Sequence, residues 1–394
     1  MSNYPRILDL ESILKRKSLF LFGPRQTGKS SLLKLHYPDA FYVDLLLNDN
    51  YASLLKNPEL LRKRVELFMK THKSNIIIID EIQKIPHLLD EVHALIEKHK
   101  MLRFILTGSS ARKLKAQGVN LLGGRASRAE LFPLTFAEIK SEENSFDYIR
   151  AMTSGLLPSI YNSENAYEDL LDYAGLYLRD EIKLEGYVRN LNAFAEFLRL
   201  AALSNTQQIN YASFASDSQV SVVTVKEYFQ ILEDTLIGNQ INSFRHTEKR
   251  KAMSSCKFYF FDIGVVNGLI RRKELTEGTA EFGAAFEQLI FQELRAYISY
   301  YRKDFKLEYW RTTDKTEVDF VIYENLKTLY AIEIKSSKKL KPKDYSGLIK
   351  LEEEFPLKKK IVVCLTPHSM VEENGVEVYN INDFLSMLWS HDIF

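Results

Sequence analysis

A glycine-rich loop between an apolar run and a helix-forming segment limits the folds open to this chain. The loop is Gly23-x-x-x-x-Gly28-Lys29-Ser30; residues 18–22 before it predict a short strand, and residues 30–35 after it predict the first turns of a helix. In this context backbone N–H groups curl around phosphate oxygens, and the helix N-terminus adds partial positive charge. The order strand, loop, helix predicts a phosphate-binding loop in a parallel α/β sheet. The alternative is a glycine turn that binds nothing.

Two residues of the loop have predicted chemical roles. Lys29 is expected to reach the β- and γ-phosphates of a nucleotide, and Ser30 is expected to ligate Mg²⁺. ATP and Mg²⁺ are therefore the predicted ligands. The predicted ATP-binding residues of the loop are Gly23, Pro24, Arg25, Gln26, Thr27, Gly28, Lys29, Ser30 and Ser31.

The run from Ile76 to Ile79 precedes two acidic residues, Asp80 and Glu81. A β-branched run of this kind is typical of a strand buried on both faces of a parallel sheet. Asp80 would then lie at the carboxyl end of the strand and hold Mg²⁺ directly or through water, while Glu81 would polarise the water that attacks the γ-phosphate. The alternative for such a pair is a solvated loop or a helix cap.

Another apolar strand is predicted over residues 103–110, which end in small hydroxyl residues. Thr107 or Ser109 would lie near the γ-phosphate and sense its presence. With Gly123-Gly124-Arg125 and residues 131–138, these segments resemble the AAA-type ATPases of the archaeal-like branch over about the first 140 residues.

The resemblance implies a doubly wound parallel sheet with the nucleotide at the carboxyl ends of its strands. It also implies that an arginine completes the site on the γ-phosphate, and Arg125 stands in the family's place for it. Arg125 would act either in its own subunit or in the site of a neighbour. The alternative is a surface arginine on a loop.

Composition indicates several globular domains and excludes some classes. The chain has 394 residues, of which 45% are hydrophobic and 27% charged, and its formal net charge is +1. Bulk charge therefore gives no argument for nucleic-acid binding. The longest apolar runs are too short to span a bilayer, and no secretion signal is evident in residues 1–16, so we expect no membrane partner and a cytoplasmic location.

Four regions are predicted: an ATPase core (1–145), a helical lid (146–205), a winged-helix-like module (206–275) and a nuclease-like domain (276–394). The third region has the layout helix, turn, helix and returning strand, with a basic hairpin tip at residues 246–251. Its second helix offers Lys226 beside Val222 and Val223, which is poor equipment for reading base edges. DNA binding and protein docking therefore both remain open for this module.

The C-terminal region carries a second set of chemical residues: Glu287, Asp319, Glu333 and Lys335. Strand alternation places Glu333 and Lys335 on one face. Asp319 and Glu333 on adjacent strands could share one divalent cation, with Glu287 behind them and Lys335 able to orient or deprotonate a water. The alternative is an ordinary solvated charged face.

The order Glu, Asp, Glu-x-Lys resembles the PD-(D/E)XK nucleases, although Val318 replaces the proline of the family's name. The whole chain resembles prokaryotic AAA-type ATPases fused to a winged helix and such a nuclease-like domain. The resemblance implies Mg²⁺-dependent ATP hydrolysis coupled to a DNA-directed, nuclease-like C-terminal domain, and whether this domain cleaves DNA stays open. The alternative is a nucleotide-controlled switch in which a non-catalytic nuclease fold docks a protein; a homo-oligomer is a further expected form of assembly.

Overall fold

The computed structural model describes residues 4–109, 122–141, 144–177, 188, 190–245, 256–325 and 328–394. These residues form two compact units. The first contains residues 5–133 together with 234–237, and the second contains Tyr4, residues 134–233 and residues 238–394. The basic hairpin tip at residues 246–251 lies outside the described residues.

The first unit is built on a five-stranded parallel sheet in the order β2-β3-β4-β1-β5. Helices lie between its strands, which confirms the predicted α/β class. The elements are α1 (Leu10–Leu14), β1 (Ser18–Phe22), α2 (Lys29–His36), β2 (Phe41–Asp44), α3 (Asn48–Lys56), α4 (Leu60–Thr71), β3 (Ile76–Asp80), α5 (Leu88–Lys98), β4 (Arg103–Gly108) and β5 (Ala126–Glu130).

The central strands form because their residues are apolar on both faces. Ile77, Ile78 and Ile79 of β3 are wholly buried, as the β-branched run predicted. Since all five strands run in the same direction, their carboxyl ends meet at one edge of the sheet. Phe22, Asp80 and Gly108 therefore end their strands at the edge where the glycine loop begins.

The second unit begins with a helical region. Side chains of Asn190, Asn210 and Thr279 accept hydrogen bonds from the first turns of three of its helices and fix where they start. The helices are α6 (Phe136–Ile139), α7 (Tyr148–Ser154), α8 (Pro158–Tyr161), α9 (Ala166–Asp172), α10 (Leu191–Leu203), α11 (Tyr211–Asp217), α12 (Val222–Asp234), α13 (Ile263–Leu269), α14 (Ala280–Tyr300), α15 (Ser346–Glu354) and α16 (Ile381–Trp389).

Two sheets complete the second unit. An antiparallel pair, β6-β7, follows α12, and a six-stranded mixed sheet has the order β12-β13-β11-β10-β9-β8. The strands are β6 (Gly238–Ile241), β7 (Lys257–Phe260), β8 (Lys306–Arg311), β9 (Glu317–Tyr323), β10 (Leu329–Lys335), β11 (Leu357–Cys364), β12 (Met370–Val371) and β13 (Val376–Asn380).

The segment after β6 is joined to the six-stranded sheet. The backbone N–H of Phe244 donates to Tyr309 O at 2.6 Å, and the Phe244 ring is buried in the same hydrophobic core as Trp310 and Val318. Residues 206–275 and 276–394 therefore share a core. The compact units divide after Pro133, and the predicted four-part division stays a prediction.

Candidate functional site

The glycine loop turns sharply at the end of β1. Gly23 has φ +154°, and a Cβ atom added there would lie 2.4 Å from Leu131 O, so the loop backbone passes too close to the residue after β5 for any side chain. Gln26 and Gly28 have φ 64° and 95°, in the left-handed region. Inside the loop, the buried Thr27 hydroxyl donates to Pro24 O at 2.9 Å.

Lys29 opens α2 and lies across the mouth of the loop. Its Nζ donates to Gly23 O at 2.6 Å and to Pro24 O at 2.9 Å, and the residue is 6% exposed. These carbonyls hold the ammonium beside the backbone that would surround a phosphate. Ser31 of the same helix is exposed, and Arg25 is half-buried in the loop.

Asp80 is the centre of a hydrogen-bond network at the carboxyl edge of the sheet. Its Oδ2 atom accepts from Ser30 Oγ at 2.6 Å and from the Tyr42 hydroxyl at 2.5 Å, and its Oδ1 atom accepts from the Thr107 hydroxyl. Burial, together with the bond to Asp80, raises the pKa of Tyr42 above its ordinary value, so the tyrosine remains a donor. Ser30 and Asp80 thus lie together, as the sequence predicted.

Glu81 follows β3 with a left-handed backbone, φ 63°. Its N–H donates to Thr107 Oγ1 at 3.1 Å, and its Oε2 atom accepts from Gln83 Nε2 at 2.5 Å. Thr107 therefore connects the two acidic residues through one hydroxyl. Ser109 is buried one residue beyond the end of β4, at the same edge of the sheet.

Arg125 lies at the opposite edge. Its carbonyl oxygen accepts from the N–H of Ser18, the first residue of β1, whereas the glycine loop follows the last residue of that strand. Its guanidinium pairs with Glu97 and is 39% exposed. The five residues of β1 separate the two edges at about 3.3 Å per residue, beyond the reach of the side chain. This position favours a role in a neighbour's site over one in its own subunit, and the role of Arg125 stays a prediction.

Sequence reasoning missed Tyr42 and Gln83, which orient Asp80 and Glu81. Gln83 could have been identified from the sequence, because it is the second residue after the acidic pair. Its side chain lies against Gly108, where an added Cβ atom would meet Gln83 Oε1 at 2.6 Å. Nothing in the pattern of β2 marked Tyr42, because its contact depends on the pairing of β2 with β3.

In the second unit the fold brings together the four predicted residues of the C-terminal region. Asp319 on β9 lies beside β10, where its Oδ2 atom accepts from Ile334 N at 2.8 Å. Lys335 pairs with Glu333 Oε1 on the same face of β10, and Glu287 projects from α14. Glu333 Oε2 is buried and has no hydrogen-bond partner among the described residues.

Lys257, the first residue of β7, enters this cluster from outside the predicted domain. Its Nζ atom lies 3.1 Å from Glu287 Oε1, 2.5 Å from Glu317 Oε1 and 3.5 Å from Asp319 Oδ1, and its side chain is 4% exposed. Neither Lys257 nor Glu317 was predicted. Two signals were available: a lysine opens the apolar run of β7, and Glu317 shares the face of Asp319 by strand alternation.

Burial dominates the electrostatics of the cluster. It raises the pKa of Glu287 to about 7 and raises the pKa of Glu333 well above its ordinary value. Burial alone would lower the pKa of Lys257, but Glu287 and the neighbouring acids raise it well above the ordinary value. Lys257 is therefore a buried ammonium ion.

The two sites differ in how well they would suit a metal ion. At the nucleotide site, Ser30 Oγ and Asp80 Oδ2 lie 2.6 Å apart, and hydroxyl and carboxylate oxygens are the ligands that Mg²⁺ prefers. In the cluster, Lys257 lies against three of the carboxylates. Within the described residues, no three His, Cys, Asp or Glu side chains are grouped so as to hold a metal ion.

Comparison with known families supports the first site. Residues 15–140 match the family described as AAA domain, which confirms the predicted AAA-type domain and supports nucleotide binding and hydrolysis. Residues 145–276 and 282–384 match two families described as domains of unknown function, DUF8612 and DUF4143. The winged helix and the nuclease-like domain stay predictions.

Curated relatives are similar over most of the chain. An uncharacterised protein of Mycobacterium tuberculosis is 26% identical over 77% of this chain and 67% of its own length. An uncharacterised protein of Haemophilus influenzae is 22% identical over 92% of each chain. Neither name states an activity.

One solved structure is similar to part of the chain. It is a signal-transduction ATPase with numerous domains, carrying a tetratricopeptide repeat sensor, from Pyrococcus horikoshii. The match has 15% identity and a TM-score of 0.27, and it covers 76% of this chain but 52% of that one. At this TM-score the likeness carries no information about function.

Among the residues that the structure describes, no helix combines the length and apolar character needed to cross a membrane.

Proposed function

We propose that the first unit is a Mg²⁺-dependent ATPase whose nucleotide cycle controls the second unit. The observation that carries this proposal is the hydrogen-bond chain from Ser30 through Asp80 and Thr107 to Glu81. It joins a metal-binding hydroxyl, a carboxylate and a second acid at the mouth of a glycine loop. Nucleotide binding alone would not need Glu81 to be held there.

Each residue of this chain has a separate task in the proposal. Lys29 binds the β- and γ-phosphates after leaving the loop carbonyls that now accept its hydrogen bonds. Mg²⁺ would be held by Ser30 and Asp80 and would neutralise charge that develops on the phosphates. Glu81, oriented by Gln83, accepts a hydrogen bond from the attacking water and directs it at the γ-phosphate.

Two substitutions test the ATPase. Lys29→Ala should weaken ATP binding, and Glu81→Gln should retain binding but slow hydrolysis by about 100-fold or more, because the carboxylate that orients water is gone. Steady-state phosphate release and equilibrium binding of ATP separate the two effects. Lys56→Ala, which removes an exposed lysine from α3, is the matched control and should hydrolyse ATP normally. Wild-type turnover in Glu81→Gln would contradict the proposal.

For the second unit we propose that it docks a protein partner. This is the alternative given by the sequence, a nucleotide-controlled switch with a non-catalytic nuclease fold. The exposed start of α12 supports it: Val222 and Val223 are 41% and 66% exposed, where a DNA-reading helix would offer polar or basic residues. Lys338, in the basic run after β10, pairs with Glu277 at 2.7 Å.

Metal-dependent DNA cleavage is the second candidate, because Glu287, Asp319, Glu333 and Lys335 converge in one cluster. Linear, circular and branched DNA should be incubated with Mg²⁺ or Mn²⁺, with and without ATP. Cutting that is lost in Asp319→Ala would establish a nuclease, and its loss in Lys29→Ala as well would show that ATP controls it. Intact DNA with normal ATP turnover would leave the docking proposal standing.

A further inference from the structure

The ammonium group of Lys257 has three hydrogen atoms, and three carboxylates lie around it. Glu287, Glu317 and Asp319 approach Nζ to between 2.5 and 3.5 Å. These acids come from α14 and from two positions on β9, whereas the lysine comes from β7. The ring of Tyr309 lies 5.6 Å from the same nitrogen and covers it further.

The oxygens around the lysine have other donors as well. Tyr259 donates to Glu287 Oε1 at 2.5 Å, Arg311 donates to Glu317 Oε2 at 3.2 Å, and Ile334 N donates to Asp319 Oδ2 at 2.8 Å. Both oxygens of Glu317 and both oxygens of Asp319 therefore have a partner.

We propose that Lys257 takes the place of the divalent cation in this nuclease-like cluster. A Mg²⁺ ion needs oxygens at about 2.0–2.1 Å. Asp319 Oδ1 already faces the Lys257 ammonium ion and Glu333 Oε1 faces that of Lys335, and a further cation beside them would be strongly repelled in so buried a place. Metal binding would require the Lys257 ammonium group to leave its place among the three carboxylates. The cluster is a closed ionic joint between the β6-β7 pair and the mixed sheet.

The joint explains how the residues of a nuclease-like site can be present in a unit that, in our proposal, docks a protein partner. The four acids, Glu287, Glu317, Asp319 and Glu333, are paired with three basic residues, Lys257, Arg311 and Lys335. This inference concerns the second unit and does not depend on ATP hydrolysis.

The test is calorimetric titration of the nucleotide-free, full-length protein with Mn²⁺. Lys257→Met keeps the length of the side chain and removes the charge, so it should bind Mn²⁺ about tenfold or more tightly than wild type. Adding Asp319→Asn to Lys257→Met should abolish the gain. Lys339→Met is the matched control, because it also replaces one lysine by methionine but at an exposed position outside the cluster; its affinity should stay close to that of wild type.

Two results would overturn the proposal. One is Mn²⁺ binding by wild type that Asp319→Asn abolishes and Lys257→Met does not strengthen. The other comes from wild type alone, so the test stays valid if Lys257→Met does not fold. Amine-reactive labelling is read by mass spectrometry, and the proposal expects Lys257 to be protected with or without millimolar Mn²⁺. Labelling that rises with Mn²⁺ would show that the metal displaces the lysine. Since no nucleotide is present, neither result bears on the ATPase.

Discussion

At the scale of single residues, Thr107 decides how the two acids of the nucleotide site are held. Its hydroxyl hydrogen is donated to Asp80, so its oxygen is free to accept from the N–H of Glu81. The hydroxyl is buried, and replacing it with a methyl group would leave that N–H without its acceptor. Such a loss costs about 1–3 kcal/mol at a buried site.

We therefore expect Thr107→Val to slow ATP hydrolysis by about 10–100-fold, because Asp80 and Glu81 lose their common support. Thr107→Ser keeps the hydroxyl and should remain within a few-fold of wild type. Steady-state ATPase rates, with ATP affinity measured in parallel, check the prediction. Equal rates for the valine and serine variants would mean that the hydroxyl does not hold the acids.

At the scale of elements, α14 carries acidic side chains on two of its faces. Glu287 faces the ionic cluster, whereas Glu293 accepts from Phe136 N at 2.8 Å and from Trp389 Nε1 at 2.7 Å. Burial raises the pKa of Glu293 to about 8. Glu293 therefore keeps its proton at neutral pH.

This pKa predicts how stability depends on pH. The unfolded chain releases the Glu293 proton near its ordinary pKa of 4.5, while the folded protein retains it to about 8. The folded state binds more protons in this window, so the free energy of unfolding should fall as pH rises from about 5 to about 8, by up to about 1.4 kcal/mol per pH unit from this group.

Tryptophan fluorescence during urea unfolding measures this dependence. The protein's two tryptophans, Trp310 and Trp389, both belong to the second unit. Glu293→Gln should flatten the dependence relative to wild type, and Glu281→Gln, an exposed change on the same helix, should leave it unchanged. A Glu293→Gln curve parallel to the wild-type curve would contradict the assignment.

The elements also show what the sequence could predict. The strands β1, β3 and β4 and the start of α2 were predicted to within two residues, because their apolar runs and glycine loop are local signals. Asp319, Glu333 and Lys335 were placed together because strand alternation is local too. Lys257 and Tyr42 were missed because their contacts join segments distant in sequence. Arg125 was placed by resemblance, which gave its position in the chain but not the edge of the sheet.

At the scale of the whole molecule, residues 206–275 and 276–394, which were predicted as separate regions, share part of one hydrophobic core. Phe244 carries this connection, since its ring packs on Tyr323 and Phe355 with centroid distances of 5.2 and 5.1 Å. It is 2% exposed. A ring from residues 206–275 thus fills the core of the sheet built by residues 306–380.

Phe244→Ala should therefore lower the free energy of unfolding of the second unit by about 3–5 kcal/mol, the usual cost of deleting a buried aromatic ring. The urea midpoint of tryptophan fluorescence checks it. Val223→Ala removes an exposed side chain from the same region and should change the midpoint little. Equal midpoints for the two variants would show that the regions fold separately.

The ionic contacts of Lys257 have a consequence for how the two parts of the second unit were inherited. Family boundaries divide the second unit between residues 276 and 282, with the lysine in one segment and its three acids in the other. A recombination event that exchanged either segment by itself would leave three carboxylates without their ammonium ion, or the ammonium ion without its carboxylates, inside a core. We therefore expect the two segments to have been inherited together, with the charges of one segment complementary to those of the other.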